Sequence, residues 1–198
     1  MEAVVPLPYH EREFDAAAVR LLPGQFHAGR DEAMVTVLGS CVSACLWDPQ
    51  ARIGGMNHFM LPGAGAAASP WAASARFGVH AMEVLINRML RLGAQRRDLV
   101  AKVFGGARVL QGFEVLDVGA QNAAFVLEFL REEGVPLAAQ DLGGVHPRKL
   151  VFFPASGRAC VKRLQPVAAS ELQHAERAYR ERLQDSRSGE FEMFSGAA

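Results

Sequence analysis

Hydrophobic positions change their spacing several times along the chain, and each spacing predicts an element. The stretches 34–48 and 51–61 are rich in β-branched and apolar residues. They flank Asp48-Pro49-Gln50-Ala51, residue types that favour a tight turn. This pattern predicts a β-hairpin. Five further strands are predicted, at 99–104, around 113–118, and at 137–141, 149–153 and 158–164.

Two stretches carry the three- and four-residue spacing of an amphipathic helix. The first, ended by Gly93, has the apolar stripe Met82, Leu85, Ile86, Met89 and Leu90. The second, which starts near Asn122 and is stopped by Gly134 and Pro136, has the stripe Phe125, Val126, Phe129 and Leu130. Strands and helices alternate in blocks, so the predicted fold class is α+β, with layered mixed β-sheets flanked by helices.

The segments outside the central pattern predict two appendages. Residues 1–30 contain three prolines and predict an N-terminal arm on the domain edge, with a short strand near 19–22. Residues 31–166 form the expected domain. Residues 167–198 predict a charged helix with a narrow apolar stripe, followed by a flexible tail; the stripe is Leu172, Ala175, Tyr179 and Leu183. We expect this helix to be solvated and packed on the domain.

Composition narrows the functional classes. The 198 residues hold 21 Lys+Arg and 21 Asp+Glu, which argues against nucleic-acid binding because that function needs an excess of cations. Three cysteines are too few for a disulfide scaffold. The N-terminal sequence does not resemble a secretory signal, and no apolar run reaches the ~20 residues of a membrane span. We therefore expect a soluble, cytoplasmic monomer with no inserted membrane segment.

The hairpin contains the residues best suited to catalysis. A two-residue loop at 49–50 pairs residues whose numbers sum to 99, which places Cys41 opposite His58 on one face. A thiol beside an imidazole is the arrangement of a nucleophilic cysteine and its base. Backbone N–H groups near Ser40 and Val42 are candidates for an oxyanion hole, and Thr36 for orienting the imidazole.

Simpler interpretations of these residues stay open. A lone cysteine in an apolar strand is usually a core residue, and a bulge at Gly54-Gly55 would turn His58 to the other face. Cys45 shares the predicted face of Cys41, so a metal pair with His58 is conceivable, but a third ligand is missing. We predict no metal and no cofactor, and interpret Cys45 and Cys160 as structural.

Several segments together resemble the CheD family of chemoreceptor glutamine deamidases. They are VTVLGSCVSACLWDP, GGMNHFMLP, AKVFGGA, VGAQN and DLGG followed by RKLVFFPASG, and the resemblance spans about residues 20–166. It implies a fold like that of toxin-deamidase cysteine hydrolases, with Cys41 as nucleophile, His58 as base and Thr36 as the third residue. Many family members have Arg where this chain has Gln121, which puts any contact of that Arg in doubt.

The resemblance also implies substrates and partners. The family hydrolyses glutamine side chains to glutamate on the cytoplasmic helices of chemotaxis receptors, and some members bind a CheC-type phosphatase. Two alternatives stay open from the sequence. One is a non-catalytic adaptor that binds such a phosphatase or a response regulator, and the other is a thiol hydrolase or transglutaminase acting on another protein amide. The combination of Cys41, His58 and Thr36 favours an enzyme.

Overall fold

Nine strands and two long helices make up the computed structural model of residues 18–61, 70–108, 117–165, 176–179 and 181–183. The strands are β1 Val19–Arg20, β2 Phe26–Gly29, β3 Met34–Leu38, β4 Val42–Asp48, β5 Ile53–Asn57, β6 Val100–Gly105, β7 Leu137–Leu142, β8 Arg148–Phe153 and β9 Arg158–Arg163. The helices are α1 Pro70–Arg91 and α2 Val118–Glu132, with a 3₁₀ turn at Arg96–Asp98. A C-terminal helical segment covers 176–179 and 181–183.

The strands form two mixed sheets. The four-stranded sheet has the order β1-β3-β8-β9, and the five-stranded sheet has the order β2-β5-β4-β6-β7. Each sheet contains one parallel pair, β1 with β3 and β6 with β7, and its other pairs are antiparallel. This confirms the predicted α+β class with mixed sheets and helices. No described helix is long and apolar enough to span a membrane.

Alternation along β4 assigns its two faces to two separate cores. Val42, Ala44 and Leu46 pack with the apolar stripes of both helices. Cys41, which precedes β4, and Cys45 face the opposite way and pack against residues of the four-stranded sheet. The molecule is therefore layered as helices, five-stranded sheet and four-stranded sheet, and Cys41 lies between the two sheets.

The predicted hairpin exists, but its register is shifted by two residues. Trp47 pairs with Gly54 and Asp48 with Ile53, so the loop has four residues rather than two. The Asp48 carboxylate causes the difference, because it accepts hydrogen bonds from the backbone N–H groups of Gln50 and Ala51 at 2.8 and 2.9 Å. Since the shift is an even number, each side chain stays on its predicted face.

Most other elements lie where the pattern predicts them. The strands near 19–22, 99–104, 137–141, 149–153 and 158–164 are present within one or two residues, and the stripes of both helices are buried apart from half-buried Leu90. The strand expected around 113–118 falls mainly outside the described residues. The predicted end of this strand at 117–118 is wrong. Asp117 instead caps α2, its carboxylate accepting a hydrogen bond from the Ala120 N–H, and Val118 is already helical.

Candidate functional site

The loop Gly39–Cys41 joins β3 to β4 and is held in place from behind. Its three carbonyl oxygens, in chain order, accept hydrogen bonds from the Ala107 N–H, the Asn122 side-chain amide and the Gly106 N–H, at 2.7, 2.8 and 2.7 Å. Because every carbonyl is bound on that side, the N–H groups of the loop are left to point towards the space between the sheets.

Gly105 is required for this loop to fit. Its φ is +113°, and a Cβ at this position would lie 2.2 Å from the Cys41 carbonyl oxygen. Any side chain here would push the loop out of its place. The close approach therefore explains why β6 ends in a glycine beside Cys41.

The three N–H groups of Gly39, Ser40 and Cys41 converge on the carboxylate of Glu176. Their nitrogens lie 2.9, 3.0 and 3.3 Å from its oxygens, and the Ser40 hydroxyl also donates to it at 2.7 Å. We call this set of donors the cradle. Glu176 comes from the C-terminal helical segment and is fully buried. Four donors around one anion make the cradle a site for a developing or full negative charge.

His58 follows β5 and is oriented by Thr36 on β3. The Thr36 hydroxyl lies 2.8 Å from the Leu21 carbonyl oxygen and 2.8 Å from His58 Nδ1. A hydroxyl has one proton, and the Leu21 carbonyl can only accept it. Thr36 must therefore accept from an Nδ1–H, which leaves His58 Nε2 unprotonated; within the described residues that atom has no hydrogen-bond partner.

Cys41, His58 and Glu176 meet in one buried group, which we call the central cluster. Cys41 Sγ, an imidazole nitrogen and a carboxylate oxygen all lie within 4.8 Å of one another. Val42 forms a bridge with Phe59, so Cys41 and His58 are diagonal neighbours on one face rather than directly opposite. The side chains of all three are no more than 1% exposed.

The charges of the central cluster favour a neutral thiol and a neutral imidazole. Burial, and then the adjacent Glu176 carboxylate, raise the pKa of Cys41 well above its usual range. Burial lowers the pKa of His58 to about 4, although the Glu176 charge acts in the opposite direction. The negative charge of Glu176 therefore adds to the effect of burial in keeping the Cys41 thiol protonated.

Cysteine, histidine and carboxylate are also ligands that zinc accepts. However, both carboxylate oxygens of Glu176 already receive hydrogen bonds, and the cradle presents three backbone N–H groups to the same space. These donors attract anions and repel a cation. The donor geometry of the central cluster therefore suits an anionic group better than a metal ion.

The structure brings together Thr36, His58, Cys41 and the Ser40 N–H. The Val42 N–H is excluded, because it donates to the Phe59 carbonyl oxygen at 2.9 Å, and the Gly39 and Cys41 N–H groups lie in the cradle instead. Cys45 lies in the apolar core between the sheets, and Cys160 is buried on β9 outside that core.

Sequence reasoning misses Glu176, and a signal for it exists. It lies three residues before Tyr179, on the same helical face as the apolar stripe of the tail. A carboxylate within an apolar stripe indicates a specific buried acceptor site rather than a solvated surface.

Comparison with known proteins agrees with the motifs that surround this site. A family model described as CheD chemotactic sensory transduction matches residues 60–163. A relative from Herminiimonas arsenicoxydans is 51% identical over 190 residues, with 94% of each chain covered. The chain belongs to the CheD family. The resemblance seen in the sequence is thereby confirmed.

Other members of the CheD family are similar over nearly their whole length. Proteins from Thiobacillus denitrificans and Shewanella oneidensis are 48% and 47% identical, and the matches cover 94% and 96% of this chain and 94% and 93% of theirs. All three relatives are named probable chemoreceptor glutamine deamidases, CheD in two cases and CheD 1 in Shewanella oneidensis.

Two solved structures are distantly similar to this chain. The hypothetical protein YfiH from Bacillus licheniformis has a TM-score of 0.38 at 12% identity, covering 59% of this chain and 49% of that one. A DUF152 family protein from Neisseria meningitidis has a TM-score of 0.37 at 14% identity, covering 61% and 52%.

Proposed function

We propose that this protein hydrolyses glutamine side chains to glutamate on the cytoplasmic helices of chemotaxis receptors, by a cysteine–histidine mechanism. The names of its CheD relatives support the substrate. The observation that carries the chemistry is the meeting of a thiol, an oriented imidazole and a cradle of N–H donors within one cluster.

The first half of the reaction forms a thioester. His58 Nε2 takes the proton of Cys41, and the thiolate attacks the carbon of the glutamine carboxamide. The oxygen of that carboxamide becomes negative and is stabilised by the cradle N–H groups of Gly39, Ser40 and Cys41. His58 then returns the proton to the departing ammonia as the carbon–nitrogen bond breaks.

The second half regenerates the enzyme. His58 removes a proton from a water molecule, which attacks the thioester carbon and releases the thiol and a glutamate side chain. Thr36 acts throughout as an acceptor for the Nδ1–H, and so keeps the basic nitrogen directed at the reaction. The product adds one negative charge to the receptor helix and so tunes chemotaxis signalling.

The decisive test compares wild-type protein with C41A on a receptor cytoplasmic fragment. Wild type is expected to add about one dalton at each modified glutamine, and C41A to lose at least about 10³-fold in rate. C160A is the matched control, since Cys160 is another buried cysteine away from the cluster. Equal activity of C41A and C160A would refute the mechanism.

The same assay separates this proposal from an adaptor that binds a CheC-type phosphatase without catalysis. An adaptor would leave the receptor mass unchanged even with wild-type protein. A transglutaminase would give a larger mass increase when a primary amine is present. Cytoplasmic location, a monomeric state and a CheC-type partner remain part of this proposal, and no cofactor enters it.

A further inference from the structure

We propose that the C-terminal helical segment is a built-in product-like inhibitor, in which Glu176 occupies the subsite for the glutamine side chain of the substrate. The segment must leave before a substrate can enter. This inference rests on the proposed function, and its tests are chosen so that the two can fail separately.

The chemical identity of the occupant is the first argument. Hydrolysis of a glutamine side chain gives a glutamate side chain, and the group held in the cradle is a glutamate carboxylate. It accepts hydrogen bonds from the N–H groups of Gly39, Ser40 and Cys41, the donors assigned to the oxyanion. Glu176 therefore sits as a product would sit after the thioester is hydrolysed.

Access to the thiol is the second argument. With Glu176 in place, Cys41 is 0% exposed and His58 is 1% exposed, so no receptor side chain can reach either of them. The occupied state is thus incompatible with turnover. Substrate and segment compete for one subsite, and the fraction of molecules with the segment displaced limits the apparent affinity for substrate.

The segment is also seated by groups other than its carboxylate. Leu183, two helical turns further on, is buried. Tyr179 packs so closely on Gly24 that a Cβ there would lie 2.8 Å from the tyrosine hydroxyl. Gly24 in turn donates its N–H to the His58 carbonyl oxygen at 2.7 Å. The segment therefore packs on a loop that is hydrogen-bonded to His58, as well as on the cradle.

Presentation on a helix is the third argument. Glu176 begins a described helical stretch, and the proposed substrates are glutamines on receptor helices. A glutamine at this position would offer its carboxamide to the cradle and Cys41 in the same way. E176Q should consequently turn the inhibitor into a substrate in cis.

That reaction is fully balanced by the groups present and water. A bond forms between Cys41 Sγ and the carboxamide carbon, the carbon–nitrogen bond breaks, and ammonia leaves with the proton held by His58. Water then hydrolyses the thioester, which restores the thiol and leaves glutamate at position 176. No oxidant, reductant or further reactant is needed.

The experiment follows the mass of the C-terminal peptide in purified full-length E176Q over time. The glutamine introduced at 176 is expected to convert to glutamate with a gain of about one dalton, and not to convert in E176Q/C41A. The matched control is E181Q, the same substitution on the same segment at an exposed position, which should remain unconverted.

A second measurement uses E176A on the receptor fragment. Removing the carboxylate is expected to raise kcat/KM by about tenfold or more, mainly through a lower KM, and to speed alkylation of Cys41 by iodoacetamide. E181A should behave as wild type in both assays. Thermal unfolding of each variant establishes that it is folded.

The outcomes separate the two ideas. If E176Q deamidates receptor fragment while its own residue 176 stays unconverted, and E176A is no faster than wild type, the inhibitor is refuted and the proposed function stands. If wild type, E176A and E176Q are all folded but none deamidates the receptor fragment, and E176Q does not convert its own residue 176, the proposed function is refuted and this inference with it.

Discussion

In the proposed mechanism the Thr36 hydroxyl determines which nitrogen of His58 acts as the base, so T36V is the most informative single substitution outside Cys41. Valine has nearly the shape of threonine but cannot accept a hydrogen bond. The His58 Nδ1–H, now at 2.8 Å from the hydroxyl oxygen, would lose its acceptor in a fully buried site. The preference for a proton on Nδ1 is then lost, because neither ring nitrogen has a hydrogen-bond partner among the described residues.

The size of the effect follows from the cost of an unpaired buried N–H. That cost is about 1–3 kcal/mol, and each 1.36 kcal/mol shifts a population about tenfold. The ratio of the Nδ1–H tautomer, with its free Nε2, to the Nε2–H tautomer should therefore fall about 10- to 100-fold in T36V. We expect kcat to fall by at most that factor with KM little changed, because the partners of the Thr36 hydroxyl are the Leu21 carbonyl and His58.

The assay is steady-state deamidation of receptor fragment, together with nitrogen-15 NMR of the His58 ring. T36S is the control, since it keeps the hydroxyl and should keep both the Nδ1–H signal and most of the activity. A T36V protein with wild-type kcat would show that the imidazole does not depend on this hydrogen bond. A T36S protein as slow as T36V would point to packing instead.

Three further predictions concern stability and its dependence on pH. The pKa of His58 is about 4 in the folded protein and 6.5 ordinarily, so the unfolded chain binds the proton first as pH falls. The free energy of unfolding should therefore fall by about 3 kcal/mol between pH 6.5 and pH 4. Urea titrations at several pH values should show a weaker pH dependence of this free energy in H58Q. N122A removes donation to the Ser40 carbonyl and acceptance from the Leu61 N–H, so it should cost about 2–4 kcal/mol and slow deamidation; a variant as stable as wild type would contradict the bracing of the loop. D48A removes three part-buried hydrogen bonds from backbone N–H groups to the Asp48 carboxylate, and should cost about 2–4 kcal/mol with activity per folded molecule retained, as measured by chemical denaturation and turnover.

The sequence is most informative where periodicity and burial coincide. The stripe on α1 and the alternation along β4 each predict which residues face a core, because a helix and a strand repeat with fixed periods. The same alternation places Cys41 and His58 on one face. That result holds although the assumed register is wrong, since a shift of two residues conserves the face of each side chain.

The features that the sequence does not predict depend on contacts between segments that lie far apart in the chain. Glu176 reaches the cradle from 135 to 137 residues away, and no local pattern specifies where a charged helix will dock. The N–H donors of the cradle likewise lie one residue earlier in the chain than the sequence predicts. The Val42 N–H is used in a bridge to Phe59, which becomes apparent only once the strands are paired.

The bracing of the Gly39–Cys41 loop has a consequence for how this protein can be changed. All the groups that hold the loop from behind lie in the stretch 105–122, whereas the group that fills it lies beyond residue 165. The part of the chain that holds the loop in place is thus separate from the part that occupies the cradle. With the proposed inhibition, substitutions in the C-terminal segment should change its strength over a continuous range. A foreign helix joined after residue 165 should dock at the same cradle. The inhibitory strength of the segment can therefore vary between proteins while the geometry of the reaction centre stays the same.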